Sequence, residues 1–356
     1  MTTLRATLLT PLSGPLALFA QASAHGLSLW ANSAAHLPTP FSGVELTVRD
    51  SSPNTAAALQ ETLKENPDLL FGPYGTGPML AAARATNRVI WNHGGATSRL
   101  SWPDFPHVIN VLAPSSSYFA GVLEAIHATD ETVRRVALVH STTSFGRDVA
   151  LGASTKATDL GMTVQEVPFE ASTPLAVATS VPDAEMLLVA GNFADELALA
   201  PILLARNWKY AAFIGAGTTE VLAALGEERE GLIGPTQWLT SAALVPDEGP
   251  DASWLVAHYQ EQTGEEPPYP AVQAFAAGLV AARCVREAGS CEDGALLAAA
   301  RGLRCTTLYG PFVLDATTGL QVGHRVVVVQ WQEGERQVVW PPDQAKSSVR
   351  KLREQK

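Results

Sequence analysis

The sequence predicts an α/β fold in two successive sections, and three observations carry that reading. Short apolar runs alternate with Ala- and Leu-rich helical stretches along most of the chain. The runs end in loops rich in glycine and hydroxyl residues, and the pattern restarts near Pro114. Strands that alternate with helices imply mainly parallel connections.

The elements follow in order. Leu4–Leu9 reads as a first strand, ending in Thr10-Pro11-Leu12-Ser13-Gly14-Pro15, and a helix follows from about Leu16 to Asn32. Val44–Asp50 alternates as a strand. Asn54 or Thr55 then caps a helix that Pro67 stops. Leu69-Leu70-Phe71 is a buried strand broken by Gly72-Pro73, and Pro78 stands in the first turn of the next helix, where a missing N–H does no harm. Val89-Ile90-Trp91 is another strand, ending in His93-Gly94-Gly95-Ala96-Thr97-Ser98, and Val108–Val111 is a short one.

The second section repeats this grammar. A helix covers Tyr118–Ala128, Val136–His140 is a strand, and the next helix ends at Gly161. Thr163–Val167, Met186–Ala190 and Ala212–Gly215 read as strands, with a helix over Asp195–Asn207. Residues 238–250 lack periodicity. Helices follow at Ser253–Thr263, Ala271–Glu287 and Asp293–Arg301, then strands at Tyr309–Leu314, Arg325–Trp331 and Gln337–Trp340. Residues 343–356 are polar and basic with no apolar face, so a frayed tail is expected.

Composition narrows the function. The chain has 356 residues, room for two domains, and 46% of them are hydrophobic. A net charge of −11 disfavours nucleic acid and anionic membrane surfaces. No stretch is apolar for 18 residues, so no membrane insertion is expected. Cys284, Cys291 and Cys305 lack metal-ligand spacing, so no metal is expected; Cys291 and Cys305 flank a short helix and could pair in an oxidising compartment. No G-x-S-x-G elbow surrounds a serine, Gly215-Ala216-Gly217 lacks the third glycine of a dinucleotide loop, and no phosphate-binding G-x-x-x-x-G-K-S/T occurs. His140-Ser141 alone is thin support for an α/β hydrolytic enzyme, so an enzyme, a catalytic residue and a cofactor are not expected.

The chain resembles the type I periplasmic binding proteins, in particular the branched-chain-amino-acid (leucine/isoleucine/valine) receptor group of ABC transporters. The residues that carry the resemblance are Pro11–Pro15, Asp50 with Pro53, Phe71-Gly72-Pro73, Val136–His140 with Phe145-Gly146, Tyr309–Phe312 with Asp315, and Gln330-Trp331. They span nearly the whole chain in the family's order. The resemblance implies two Rossmann-like lobes with mainly parallel sheets, joined by three crossover strands, a periplasmic binding protein-like I fold. The expected first lobe takes residues 1–113 with 246–322, the second 114–245 with 323–342, and 343–356 is the polar tail. It further implies a solute-binding receptor that captures a small ligand by hinge closure and passes it to an ABC permease. The expected ligand is an amino acid, aliphatic or aromatic, or a related small carboxylate or amide. The expected location is periplasmic or on the cell surface as a lipoprotein with its leader removed. Some relatives are cytoplasmic amide sensors that control a regulatory partner, and that alternative stays open.

Candidate ligand residues follow from chemistry and resemblance together. Loop N–H groups and hydroxyls at helix N-termini suit a carboxylate. Gly75-Thr76 and Gly95-Ala96-Thr97 lie where such donors are needed, and by resemblance they hold the ligand's α-carboxylate and α-ammonium, with Thr97 the best match. Phe19 and Tyr74 supply aromatic surface and Tyr269 the rim of the first lobe. Phe145 stands where relatives often carry a Tyr that closes over the ligand from the second lobe. Asn192-Phe193 and Gly217-Thr218 end other second-lobe strands. Amino-acid receptors of the group usually carry an acid near Gly217 to pair with an ammonium; here Glu220 is about three residues late and could instead stabilise a helix N-terminus. Trp91 reads as core, and His93 as a loop histidine satisfied by backbone.

Overall fold

The structure, a computed structural model, describes residues 2–171 and 173–352. The chain divides into two compact units. Unit 1 comprises the chain up to Pro114 and Ala243–Arg325; unit 2 comprises Ser115–Ala242 and the chain from Val326 onward.

Unit 1 begins with β1 (Thr2–Thr10), α1 (Ala17–Leu29), β2 (Phe41–Asp50), α2 (Thr55–Lys64), β3 (Leu69–Phe71), α3 (Thr76–Ala85), β4 (Ile90–Asn92) and β5 (Val108–Asn110). The strands form a parallel sheet in the order β2-β1-β3-β4-β5. Asn54 starts α2 by accepting the Ala57 N–H, which satisfies one of the unpaired donors of the first turn. On one face Leu9, Leu70, Ile90 and Val108 meet Leu59, Met79 and Leu80 in a continuous core.

Unit 2 begins with α4 (Tyr118–Thr129), β6 (Arg135–Ser141), α5 (Ser144–Asp159), β7 (Thr163–Phe169), β8 (Met186–Ala190), α6 (Phe193–Leu204), β9 (Tyr210–Phe213) and β10 (Ile233–Thr236). The expected strand over Ala212–Gly215 is displaced: β9 ends at Phe213, and a 3₁₀ turn covers Ile214–Gly217. β10 has no clear sequence signal because Gly231, Gly234 and Pro235 interrupt it. Its neighbour demands that glycine. A Cβ on Gly234 would lie 2.1 Å from the Gly217 nitrogen, and one on Gly217 would lie 1.8 Å from the Pro235 oxygen.

The chain then returns to unit 1 as α7 (Ala252–Thr263), α8 (Tyr269–Ala288), α9 (Asp293–Gly302) and a two-stranded hairpin, β11 (Cys305–Thr307) with β12 (Gly310–Phe312). α8 packs along α1 so closely that a Cβ on Gly26 would lie 2.0 Å from the Ala271 oxygen. The hairpin replaces the single strand expected over Tyr309–Leu314. Cys284, Cys291 and Cys305 are all free thiols, so the pairing of Cys291 with Cys305 does not form here.

β13 (Val327–Gln332) and β14 (Glu335–Trp340) complete the unit 2 sheet, in the order β14-β13-β10-β9-β8-β6-β7, with β13 antiparallel to both β10 and β14. The polar stretch after Pro341 is not frayed within the described residues. The Gln330 side chain donates to the Arg350 oxygen, the Gln332 side chain to the Ser348 oxygen, and the Leu352 N–H to the Lys209 oxygen. Buried amides on β13 therefore hold 348–352 by its backbone, which needs no apolar face. Residues 353–356 of the expected tail lie outside the described residues.

Candidate functional site

In unit 1 the loops after β1, β3 and β4 are tied together at the carboxyl end of the sheet, where open α/β sheets bind ligands. The Thr10 hydroxyl accepts the Tyr74 N–H at 3.3 Å, and the Gly94 oxygen accepts the Gly75 N–H at 3.0 Å. Asn92 pins the third loop. Its Oδ1 accepts the N–H groups of Gly94 and Gly95, and its Nδ2 donates to the Gly95 oxygen and to Asn110 Oδ1. Gly75 precedes α3 at φ +98°, a conformation that favours glycine, and a Cβ there would strike Leu16.

Three aromatic rings gather at these loops. Phe19 lies 5.7 Å from Tyr74 and 5.8 Å from Tyr269, ring centre to ring centre, and the two tyrosine hydroxyls are 2.7 Å apart. Thr76 opens α3 and is buried, as are Gly95, Ala96 and Thr97. The Thr97 hydroxyl accepts the Arg99 N–H at 3.3 Å, so it already shapes its own turn. Trp91 is core, as expected. His93 is fully buried against the backbone of Gly72 and of its own residue, and burial pushes its pKa down to about 4.

In unit 2 the loops after β8 and β9 are joined by a residue that the sequence did not single out. Glu196, in the first turn of α6 and fully buried, accepts the Gly191 N–H at 3.1 Å and the Gly215 N–H at 2.7 Å. Burial pushes its carboxyl up to about 8, against the Gly215, Gly191 and Ile214 amides, with neighbouring Asp195 adding to the rise. The same 214–218 turn is held from β13 and β14: Trp331 donates its indole N–H to the Ala216 oxygen, and Arg336 donates to the Gly217 oxygen.

The individual second-unit residues fall out as follows. The Asn192 side chain caps α6 by accepting the Asp195 N–H, and Phe193, half-buried, is the first residue of that helix. Gly217 is required by its contact with β10, and the Thr218 hydroxyl donates to the Gly215 oxygen. Glu220 is exposed, and its backbone oxygen accepts the Ala223 N–H. Phe145 packs edge-on against Tyr118 at 5.9 Å, and the Tyr118 hydroxyl accepts from Gln237 at 2.8 Å. Tyr118 and Gln237 were not singled out by sequence reasoning either. No group of His, Cys, Asp and Glu suited to a metal ion occurs among the described residues.

Residues 3–336 match the model of a family described as periplasmic binding proteins. The chain belongs to that family. Its architecture agrees with solved members. A leucine-binding protein from Thermotoga maritima superposes with a TM-score of 0.80 at 20% identity, covering 96% of this chain and 99% of that one. A solute-binding protein of an ABC transporter from Rhodopseudomonas palustris, solved with benzoate, gives 0.77 at 17% identity, covering 95% and 96%. A branched-chain amino acid substrate-binding protein from Streptococcus pneumoniae, solved with isoleucine, gives 0.77 at 16% identity, covering 96% and 100%. At these identities the likeness is one of fold. For this periplasmic binding protein it agrees with the parallel sheets, and no helix among the described residues is long and apolar enough to cross a membrane.

Proposed function

We propose that this periplasmic binding protein is a receptor for a small carboxylate, using the loops at the carboxyl ends of both sheets and closing on its ligand. The observation that carries the ligand class is how the acids near those loops are used. Asp50 accepts the Leu12 and Ser52 amides, Asp148 accepts from Ser115 and Ser116, and Glu196 accepts from Gly191 and Gly215. Glu220 is exposed. Asp195, buried in the first turn of α6, accepts from the Asn192 side-chain amide. Apart from Glu220, these acids thus already accept hydrogen bonds within their own units, whereas a ligand carboxylate meets the N-termini of α3, α5 and α6. The Phe19, Tyr74 and Tyr269 rings, tilted against one another and with the two tyrosine hydroxyls in contact, form an aromatic cluster beside the loops, and an aromatic carboxylate is the ligand that we take to suit it better than a branched-chain amino acid. Relatives solved with benzoate and with isoleucine support both chemistries as possible in this fold.

Closure follows from differential contact: a ligand held by both units favours the closed form, which an ABC permease then reads. That delivery places the protein outside the cytoplasm. Calorimetry with the Thr97→Ala variant tests the loop assignment. Affinity should fall by about 1–3 kcal/mol, while the free protein loses no more than about 1 kcal/mol of stability through the Arg99 N–H. Normal binding by this variant would remove Thr97 from the site.

A further inference from the structure

At the amino ends of the unit 2 strands, away from the ligand loops, the surface holds a groove of about 1060 Å³. Its place follows from the chain. Leu204 and Ala205 end α6, which starts at the carboxyl end of β8, and Leu352 bonds Lys209, the residue before β9. Leu204 and Leu352 pack on the unit 2 core yet stay half-buried in the groove. Glu227, Glu228, Arg229 and Glu230 line it as well. Two of these four are engaged by their own fold. The Arg229 guanidinium lies over the Trp331 ring and donates to the Thr219 oxygen, and the Glu230 carboxylate accepts the Glu333 and Gly334 N–H groups. Glu227 and Glu228 are exposed, and among the described residues neither side chain makes an ion pair or a hydrogen bond. The end of α6 adds to their field. A helix C-terminus carries partial negative charge, no basic residue stands in this last turn, and Arg206 just beyond donates to the Val181 oxygen and to Asp183.

We propose that this groove docks an extended segment of a partner protein, one that sets an arginine or lysine beside an aliphatic side chain. The cation meets Glu227, Glu228 and the end of α6, and the aliphatic side chain covers Leu204 and Leu352. Size and exposure favour a peptide over a small molecule. Pockets for small ligands span about 300–1,000 Å³ and enclose most of the ligand. This groove is larger, and Ala205, Glu227, Glu228 and Gly334 on its lining are exposed. All of its lining belongs to unit 2, and none of it to the ligand loops. The inference is therefore independent of the carboxylate reading. A partner held here needs no contact with unit 1, so it binds empty and loaded receptor alike, unlike a permease that reads closure.

The test uses the full chain and a fluorescent hexapeptide of alternating leucine and arginine, read by anisotropy at low salt. Saturable binding is expected, and amide chemical shifts should move at Ala205, Glu228 and Leu352 rather than at the ligand loops. Reversing both free acids, Glu227→Lys with Glu228→Lys, should weaken binding about tenfold or more. The same charge change at two exposed acids elsewhere on unit 2, Glu131→Lys with Asp159→Lys, should leave it unchanged. A hexapeptide of alternating serine and arginine should bind about tenfold more weakly than the leucine one. No saturable binding, shifts centred outside the groove, an equal loss in the two charge-reversed proteins, or equal binding of the serine peptide overturns the inference. The last two would show general attraction to an acidic protein. A large gain in peptide affinity on removing residues 353–356 would assign the groove to the chain's own end, and self-association abolished by the Glu227→Lys, Glu228→Lys pair would assign it to a second copy. Either result overturns the partner assignment.

Discussion

The two units solve the same problem with different chemistry. Each must hold two neighbouring loops at the carboxyl ends of parallel strands. Unit 1 uses an amide: Asn92 accepts from Gly94 and Gly95 and donates to Gly95 and Asn110. Unit 2 uses an acid: Glu196 accepts from Gly191 and Gly215. An amide offers donors and acceptors at every ordinary pH. An acid in a buried position offers two charge states, and which one is present depends on its surroundings. The side chain that ties the unit 1 loops is thus fixed in charge, and the one that ties the unit 2 loops can titrate.

The sharpest way to test that contrast is stability against pH. Glu196 has its folded pKa raised from 4.5 to about 8. Its contribution is therefore fully present below about pH 4.5 and declines as pH rises to 8, by about 4 kcal/mol over the window. His93 acts in the opposite sense. Its folded pKa is lowered from 6.5 to about 4, so stability is lost as pH falls from 6.5 to 4, by about 3 kcal/mol. Urea unfolding across pH 4–8 should show the first slope vanish in Glu196→Gln and the second in His93→Phe. If one variant removed both slopes, the assignment of one titrating group to each unit would fail.

Removing the amide should matter at every pH. Asn92→Ala leaves the Gly94 and Gly95 amides without their acceptor in a buried loop, and a loss of about 3 kcal/mol is expected from urea melts, independent of pH. A pH-dependent loss would show that His93 and Asn92 act as one unit. The smallest effect belongs to Trp331→Phe. It removes one indole hydrogen bond to Ala216 while keeping an aromatic ring in the core, for about 1 kcal/mol. A loss several times larger would mean that Arg229 stacking on Trp331 carries more of the turn than the hydrogen bond does.

Much of unit 1 was legible because its signals are local. Leu69–Phe71 followed by Gly72-Pro73, and the glycine-rich run after Trp91, mark strand ends within a few residues, and the loops named from them meet in space. Tyr269 joined them only through resemblance, since the sequence places it far from Tyr74. Unit 2 hid more. Glu196 reads as one more polar residue of an amphipathic helix, and only the fold brings Gly215 against it. β10 was hidden because the close approach of Gly217 and Gly234 requires glycines that also break the strand pattern. The final segment looked unstructured because its anchors are buried glutamines on β13 rather than its own side chains. Pattern reading finds apolar faces; it does not find backbone held by another strand's amides.

The central claim is that the protein receives a carboxylate without an ammonium. A thermal-shift panel of benzoates, aliphatic carboxylates, small amides and the twenty amino acids, with calorimetry on each hit, tests it most directly. A ligand at 100 times its dissociation constant adds roughly 2.7 kcal/mol of stability, a readable shift. The account predicts shifts with benzoates and little with leucine, isoleucine or valine. Shifts confined to the amino acids would contradict it and point to an acid beside the loops, Asp195 or Glu220, as the partner of the ammonium.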